Sequence, residues 1–449
     1  MATVDRHAPE TGTITTSVPA RLDRLPWSRW HWMVVLGLGT VWILDGLEVT
    51  VVGNIASRLS EKGSGIAISG SEVTGIAAAL YVAGACTGAL LFGWLTDRYG
   101  RKKLFLLTLA LYLGATGLTA LSFDSWWFFA FRFLTGCGIG GEYAAINSAI
   151  DELIPASHRG RVDLLVNGSF WIGAVGGSLL SIVMLDTDLF PANVGWRLTF
   201  ALGVVLGLVI LLVRRHVPES PRWLFIHGRG PEAEELVTSI EERIAAETGR
   251  ECGPVDRRIT VHQRKSIGFR TVARTVFRSY PRRSALGLAL FIGQAFLYNA
   301  ITFGFGAILT RFFSVPSGHT GYYFAVIAFG NFLGPLLLGP LFDTLGRRPM
   351  ITGTYVLSGL LLFATAWLFG RGSLTAVTLT ACWCVVLFFA SAGASSAYLT
   401  VSEVFPMETR ALAIAFFYSM PLRAMRWRMP LSAECLGARR KIACWPPVD

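Results

Sequence analysis

Charge is scarce in this sequence. Only 15% of the 449 residues are Asp, Glu, Lys or Arg, too few to cover a soluble protein of that length with polar surface. A soluble fold is therefore excluded, and the 53% of hydrophobic residues points to an integral membrane protein. Clustered cysteine is lacking too. The seven thiols are scattered, and Cys382 and Cys384 would sit about 200° apart around a helix, which suits packing better than a metal. No nucleophile and base pair and no metal-ligand spacing stands out, so neither an enzyme nor a cofactor is expected. Residues 1–26 carry Arg6, Arg21 and Arg24 but no apolar core, so no cleavable signal peptide is expected.

What the sequence has is apolar runs of bilayer-crossing length, about 20 residues each. They fall near 32–54, 73–95, 104–121, 126–150, 162–185 and 196–213, then after a polar gap near 285–309, 321–342, 349–370 and 374–399, with an eleventh starting at Ala411. The net charge of +11 suggests nucleic acid until its placement is read. The Lys and Arg residues gather in the amino-terminal segment and in the loops that follow even-numbered runs, which by the positive-inside rule face the cytoplasm. No nucleic-acid partner is expected, and the amino terminus is expected in the cytoplasm of a multi-pass protein of the cell (plasma) membrane.

The chain repeats itself. GWLTDRYGRKK at 93–103 returns as GPLFDTLGRR at 339–348, so that Gly93, Asp97, Gly100 and Arg101 recur as Gly339, Asp343, Gly346 and Arg347, 246 positions later. Glu152 and Arg159, seven apart, recur as Glu403 and Arg410, 251 positions on. Parallel repeats of hydropathy with charged loops at matching places mark a transporter made of two halves. Within the first run, LDGLEVTVVG puts Asp45 and Glu48 three apart on one face at membrane depth. A carboxylate there costs at least ~2.5 kcal/mol unless neutralised, paired or wet, and so marks function by default. Arg132, in the fourth run, is the natural partner of Glu48, either in proton coupling or as a structural ion pair. The glycines that follow it allow close helix packing.

This pattern resembles the major facilitator superfamily over roughly residues 27 to 420, and its sugar porters in particular. The resemblance implies an all-α integral membrane fold of two six-helix bundles related by a parallel pseudo-two-fold, the second incomplete, with about 10 to 11 transmembrane helices. It divides the chain into a cytoplasmic amino-terminal segment (1–26), a six-helix bundle (27–214), a cytoplasmic central loop (215–283), a second bundle with helices 7 to 10 and the start of 11 (284–420), and a polar tail (421–449). Glu48 in GLEVTVVG matches the family's proton-accepting acid, with Arg132 and Asp45 beside it as proton-coupling residues. Asn167, Gln294, Asn299, Asn331 and Tyr398 match substrate-contacting positions, although Gly293 and Leu297-Tyr298 depart from the sugar-porter sequence. Gating roles fall to Asp97, Arg101, Glu152, Arg159, Asp343, Arg347, Glu403 and Arg410, and to Glu219 and Arg222 of VPESPRWL, the most specific local match. Glu142 has no counterpart, and two readings stay open for it: a second polar contact in the cavity, or an acid aimed at another helix.

The resemblance further implies a monomeric secondary active transporter that takes a small-molecule substrate together with protons across the lipid bilayer by alternating access. A sugar or polyol comes first. LDGLE also resembles the D-G-x-D of aromatic-acid symporters, which keeps an organic acid open. The carboxyl end supports a third expectation. Only 39 residues follow Arg410 where the first half needs 55 after Arg159, and the last 29, from Pro421, hold six basic residues, four prolines and no crossing run. A truncation or shifted frame is expected, leaving an inactive remnant or a non-transporting sensor as the remaining alternative. The helical stretch 232–246 reads as a solvated amphipathic face.

Overall fold

A computed structural model describes residues 13–59, 61, 63–66, 68–69, 72–214, 219–250, 253, 258–262, 274, 278, 280–302, 305–315 and 320–404. The expected eleventh run, Arg410 and the tail 421–449 lie outside the described residues, as do the side chains of Asp97, Arg222, Asn299 and Glu403.

Apolar composition sets the helices. The first half begins with strand β1 (Thr13–Thr16) and α1 (Val18–Asp23) and then enters α2 (Arg29–Leu59). A π-helical turn, Val73–Ala77, leads into α3 (Ala78–Tyr99), followed by α4 (Arg101–Ala120) and α5 (Ser125–Leu153). The fifth crossing is broken into α6 (Arg159–Gly168) and α7 (Phe170–Met184), and α8 (Gly195–Arg214) closes the half. The central stretch holds α9 (Pro221–Ile226), α10 (Gly230–Thr248) and β2 (Ile259–His262). The second half contains α11 (Pro281–Thr302), α12 (Phe305–Phe313), α13 (Thr320–Thr344), α14 (Arg347–Gly370) and α15 (Ala376–Val404). Among the described residues, eight helices are long and apolar enough to cross a bilayer. They include α3, α4, α8, α13 and α14, whereas α5 runs for 29 residues but carries Arg132, Glu142 and Glu152.

The repeat extends to backbone angles. Gly100 enters α4 at φ 96°, ψ 159°, and Gly346 enters α14 at φ 95°, ψ 161°, a conformation that is costly for any residue with a Cβ. α5 and α15 are both 29 residues long and begin 251 positions apart. The two halves meet where α6 and α7 pack against α13 and α15: Leu164 joins Phe342, Ala392 and Leu399 in one apolar cluster, and Trp171 and Ala174 join Ala328 in another.

Inside the first half, α3 and α5 approach at backbone contact. A Cβ on Gly136 would lie 2.1 Å from the Tyr81 carbonyl oxygen, and one on Gly140 2.0 Å from that of Ala85. Small residues of this kind let dispersion and polar contacts hold helices together where lipid removes the hydrophobic drive.

The basic end departs from the sequence reading. The amino-terminal segment and the central loop are one unit, because β1 pairs antiparallel with β2 and α1 lies on α10. The α10 face expected to be solvated is partly a docking face: Ala233, Val237, Ile240 and Ile244 are buried and join Val18, Leu22 and Trp30 in the main core. Arg21 fixes the register, with ion pairs of 2.5 Å to both Glu234 and Glu241. The burial of that stripe against a partner 200 residues away in the chain left no local signal.

Candidate proton and substrate site

The backbone approach of α3 to α5 puts the Tyr81 ring against Arg132, whose guanidinium carbon lies 4.7 Å from the ring centroid. From the other side α2 brings Glu48, and the two form a buried ion pair, with Arg132 2% and Glu48 3% exposed. Thr116 on α4 donates a 2.9 Å hydrogen bond to the second Glu48 oxygen. Breaking a buried pair by removing one partner typically costs about 3–5 kcal/mol, so Glu48 and Arg132 hold one another in place. One turn nearer the basic end, Asp45 accepts hydrogen bonds from the Tyr81 hydroxyl at 2.9 Å and from Tyr143 on α5. The Tyr143 ring stacks on Trp42, 4.4 Å between centroids. Tyr81, Tyr143 and Thr116 did not stand out in the sequence, although a tyrosine at membrane depth needs a hydroxyl partner and so carries a faint signal.

The other expected contacts divide. Tyr398 is buried, hydrogen-bonded to Gln294, and packs edge-on against Trp42 of the first half at 6.0 Å. Asn331 is fully buried, accepts from the Tyr298 hydroxyl at 3.4 Å, and its carbonyl accepts from Ser391. Tyr298 in turn stacks on Trp171 across the interface, 5.4 Å and 20° apart. Asn167 turns back on its own helix, donating to the Asp163 carbonyl at 2.8 Å, at the level where Gly168 meets Pro335 of α13. Rings thus line the junction from both sides: Trp42, Phe170 and Trp171 from the first half, Phe291, Tyr298 and Tyr398 from the second. The sequence reading had named only Tyr398 among them as a substrate contact and Tyr298 merely as a departure from the sugar-porter sequence, since an aromatic in an apolar run looks like core.

The basic end is latched. Asp343 accepts from the backbone N–H groups of Gly160 and Arg161 at the start of α6, at 3.2 and 2.9 Å, and from Arg347 at 2.8 Å. A carboxylate at a helix amino terminus is favoured by the dipole and by the orphan N–H groups. Glu219 of VPESPRWL does the same for α4, accepting from the N–H groups of Arg101 and Lys102. Ser220 caps α9 and donates to Glu152, which is paired with Arg101 at 2.6 Å. Arg159 reaches Asp23 at 3.2 Å and the carbonyl of Ile154. These charges are spent on helix ends and loops, away from the ring-lined junction. Among the described residues no cluster of His, Cys, Asp and Glu is arranged to hold a metal ion.

A family model described as sugar (and other) transporter matches residues 30–422. The chain belongs to that family. The niacin transporter NiaP of Acinetobacter baylyi is 27% identical over 397 residues, 87% of this chain and 84% of its own length. The 4-hydroxybenzoate transporter PcaK of Pseudomonas putida is 26% identical over 404 residues, covering 89% and 85%. Among solved structures, the major facilitator superfamily proton:xylose symporter XylE, bound to 6-bromo-6-deoxy-D-glucose, superposes with a TM-score of 0.72 at 19% identity over 92% of this chain and 90% of its own. A partially occluded inward-open form of XylE from E. coli matches with a TM-score of 0.65 at 19% identity, over 90% and 92%. The fold is that of the major facilitator superfamily, as the paired signature loops implied, and the family is one of multi-pass membrane transporters.

Proposed function

We propose that this transporter moves a small aromatic carboxylate together with protons, by alternating access, with its basic end in the cytoplasm of the cell. The observation that carries the reading is the ring-lined junction, where Trp42 meets Tyr398 and Trp171 meets Tyr298 across the two halves. These rings touch one another in this conformation, and a planar substrate ring that parts them and stacks in their place gains about 0.5–1.5 kcal/mol per aromatic pair beyond its burial. The printed names of two relatives, for niacin and 4-hydroxybenzoate, support the same class.

Coupling follows from charge. Asp45 and Glu48 are buried beside the junction, and Arg132 is already engaged by Glu48. An anion entering that field is repelled until a carboxyl takes a proton. Protonating Glu48 removes a negative charge and loosens its hold on Arg132, which then favours a substrate carboxylate. Proton and anion therefore each raise the other's affinity, which is the reciprocal coupling that symport needs. The latch of Asp343 on α6 closes the basic end in this conformation, so loading occurs from the opposite side.

A sugar or polyol is the second reading, favoured by the neutral amides Gln294 and Asn331 near Tyr298 and Tyr398. Uptake of labelled 4-hydroxybenzoate into proteoliposomes containing only this polypeptide tests the proposal. Accumulation driven by an inward proton gradient and blocked by nicotinate but not by xylose is expected. Uptake indifferent to a protonophore removes the coupling, and competition by xylose alone moves the substrate to the second reading.

A further inference from the structure

Among the described residues, the fully buried titratable side chains of the membrane helices with acidic or basic groups are His31 at the basic end of α2, the carboxyls of Asp45, Glu48, Glu142 and Asp163, and a single guanidinium, Arg132. Glu48 and Arg132 answer one another, and Asp45 is held by two tyrosines. Glu142 was left without a role by the sequence. It is 1% exposed on α5, directly before Tyr143, and near enough to Asp45 for its charge to act on that carboxyl.

The face of α4 orders these groups along the membrane. Thr116 bonds to Glu48 at 2.9 Å, Tyr112 points its hydroxyl at the Leu44 carbonyl at 3.5 Å, Thr108 contacts Glu142 at 3.3 Å, and Arg101 pairs with Glu152 at 2.6 Å. Steps of four, four and seven residues keep these side chains near one face and descend by about 6, 6 and 10 Å. Glu142 is thus the carboxyl between the Asp45–Glu48 level and the charged basic end. The Thr108 hydroxyl has one hydrogen, and its shorter contact is 2.8 Å to the Leu104 carbonyl of its own helix. An ionised Glu142 shares that hydrogen with the Leu104 carbonyl by accepting from Thr108 at 3.3 Å, and a protonated one can answer the same contact by donating to the Thr108 oxygen.

We infer that Glu142 is a proton-relay residue of the transport cycle, holding a proton in the latched state and passing it between the Asp45–Glu48 level and the basic end without touching substrate. In the step, the Glu142 O–H breaks, a carboxylate remains, and the proton leaves to water at the basic end once the latch opens. The next proton reaches it from the Asp45–Glu48 level, whose Asp45 carboxyl lies within range of its charge. The charged and titratable groups of the level it would draw on are Asp45 and Glu48 on α2, Tyr81 on α3, Tyr112 on α4, and Arg132 and Tyr143 on its own helix, and toward the basic end stand Arg101 and Glu152.

This rests on proton coupling, and the test separates the two. Infrared difference spectra of the purified full chain in lipid, recorded between acid and alkaline pH, need no substrate. A protonated-carboxyl band present in the natural protein, absent in Glu142→Gln and restored at a shifted position in Glu142→Asp is expected. Identical carboxyl bands in all three overturn the inference. In proteoliposomes, Glu142→Gln is expected to lower proton-driven 4-hydroxybenzoate uptake about tenfold, within the range of ordinary coupling energies, while exchange at equal pH stays near that of the natural protein. Equal loss of both activities makes Glu142 a packing residue and also overturns it. A natural protein that is itself indifferent to the proton gradient fails the proposed coupling instead, and the carboxyl band still decides whether Glu142 holds a proton.

Discussion

The two halves repeat one another in backbone and differ in what they bury. Their signature glycines share φ and ψ to within 2°, and α5 and α15 have the same length. Yet the first half buries Asp45, Glu48, Arg132, Glu142 and Asp163, whereas the fully buried polar side chains described in the second are Asn, Ser and Thr. The frame is repeated and the buried chemistry is not. The first half holds the buried carboxyls that the proposed coupling needs. The second offers neutral amides, hydroxyls and rings. In the proposed cycle, a proton taken up on one side of the junction changes how that half attracts an anion, and the other half then closes on the substrate with its neutral side chains.

The comparison is broken hardest by emptying its central pair. Arg132→Leu leaves the Glu48 charge buried and alone, so the protein should lose about 3–5 kcal/mol of stability, read as thermal unfolding in detergent. Adding Glu48→Gln should return most of it, because no uncompensated charge remains. A single variant as stable as the double would show that the pair is not the anchor of the first half. The latch comes next. Asp343→Ala removes acceptors from the Gly160 and Arg161 N–H groups and should shift the state balance by about 1–3 kcal/mol, measured as increased labelling of cysteines placed at the basic end.

In the second half, Asn331→Ala should raise the KM for substrate about tenfold and leave the pH profile of uptake in place, since no acid or base is fully buried among its described residues. A moved pH profile would erase the distinction between the halves. The smallest effect is expected at His158, the residue that caps α6. Burial and the neighbouring Arg161 lower its affinity for protons below the ordinary value of 6.5, with Asp343 opposing them. Its folded value is the lower one, so the unfolded chain binds the proton first and stability declines as pH falls through 6.5. His158→Gln should flatten that decline slightly and change nothing at pH 8, as melting curves would report.

Much of this was legible because membranes write plainly. Eight of the ten apolar runs became single helices close to their expected limits, those at 162–185 and 285–309 each fall on two, and the paired loops gave the two-half architecture. Asp45, Glu48 and Arg132 could be picked out because a charge in lipid demands a reason. The junction rings were hidden for the opposite reason: Trp42, Trp171 and Tyr298 are apolar enough to belong anywhere in a helix. Arg101 illustrates a third case. Its loop suggested a gating role, and its guanidinium meets Glu152, a pairing set by the depth at which α5 ends beside α4. The contact of α1 with α10 escaped because pairing across 200 residues leaves no periodicity to read.

The claim that the first half does the proton work is tested most directly by comparing Glu48→Gln with the natural protein in proteoliposomes, scoring proton-driven uptake and equal-pH exchange of the same labelled substrate. Removing the titrating carboxyl should abolish accumulation against a gradient, by about a hundredfold or more, while exchange persists. Undiminished proton-driven accumulation in that variant would contradict the account.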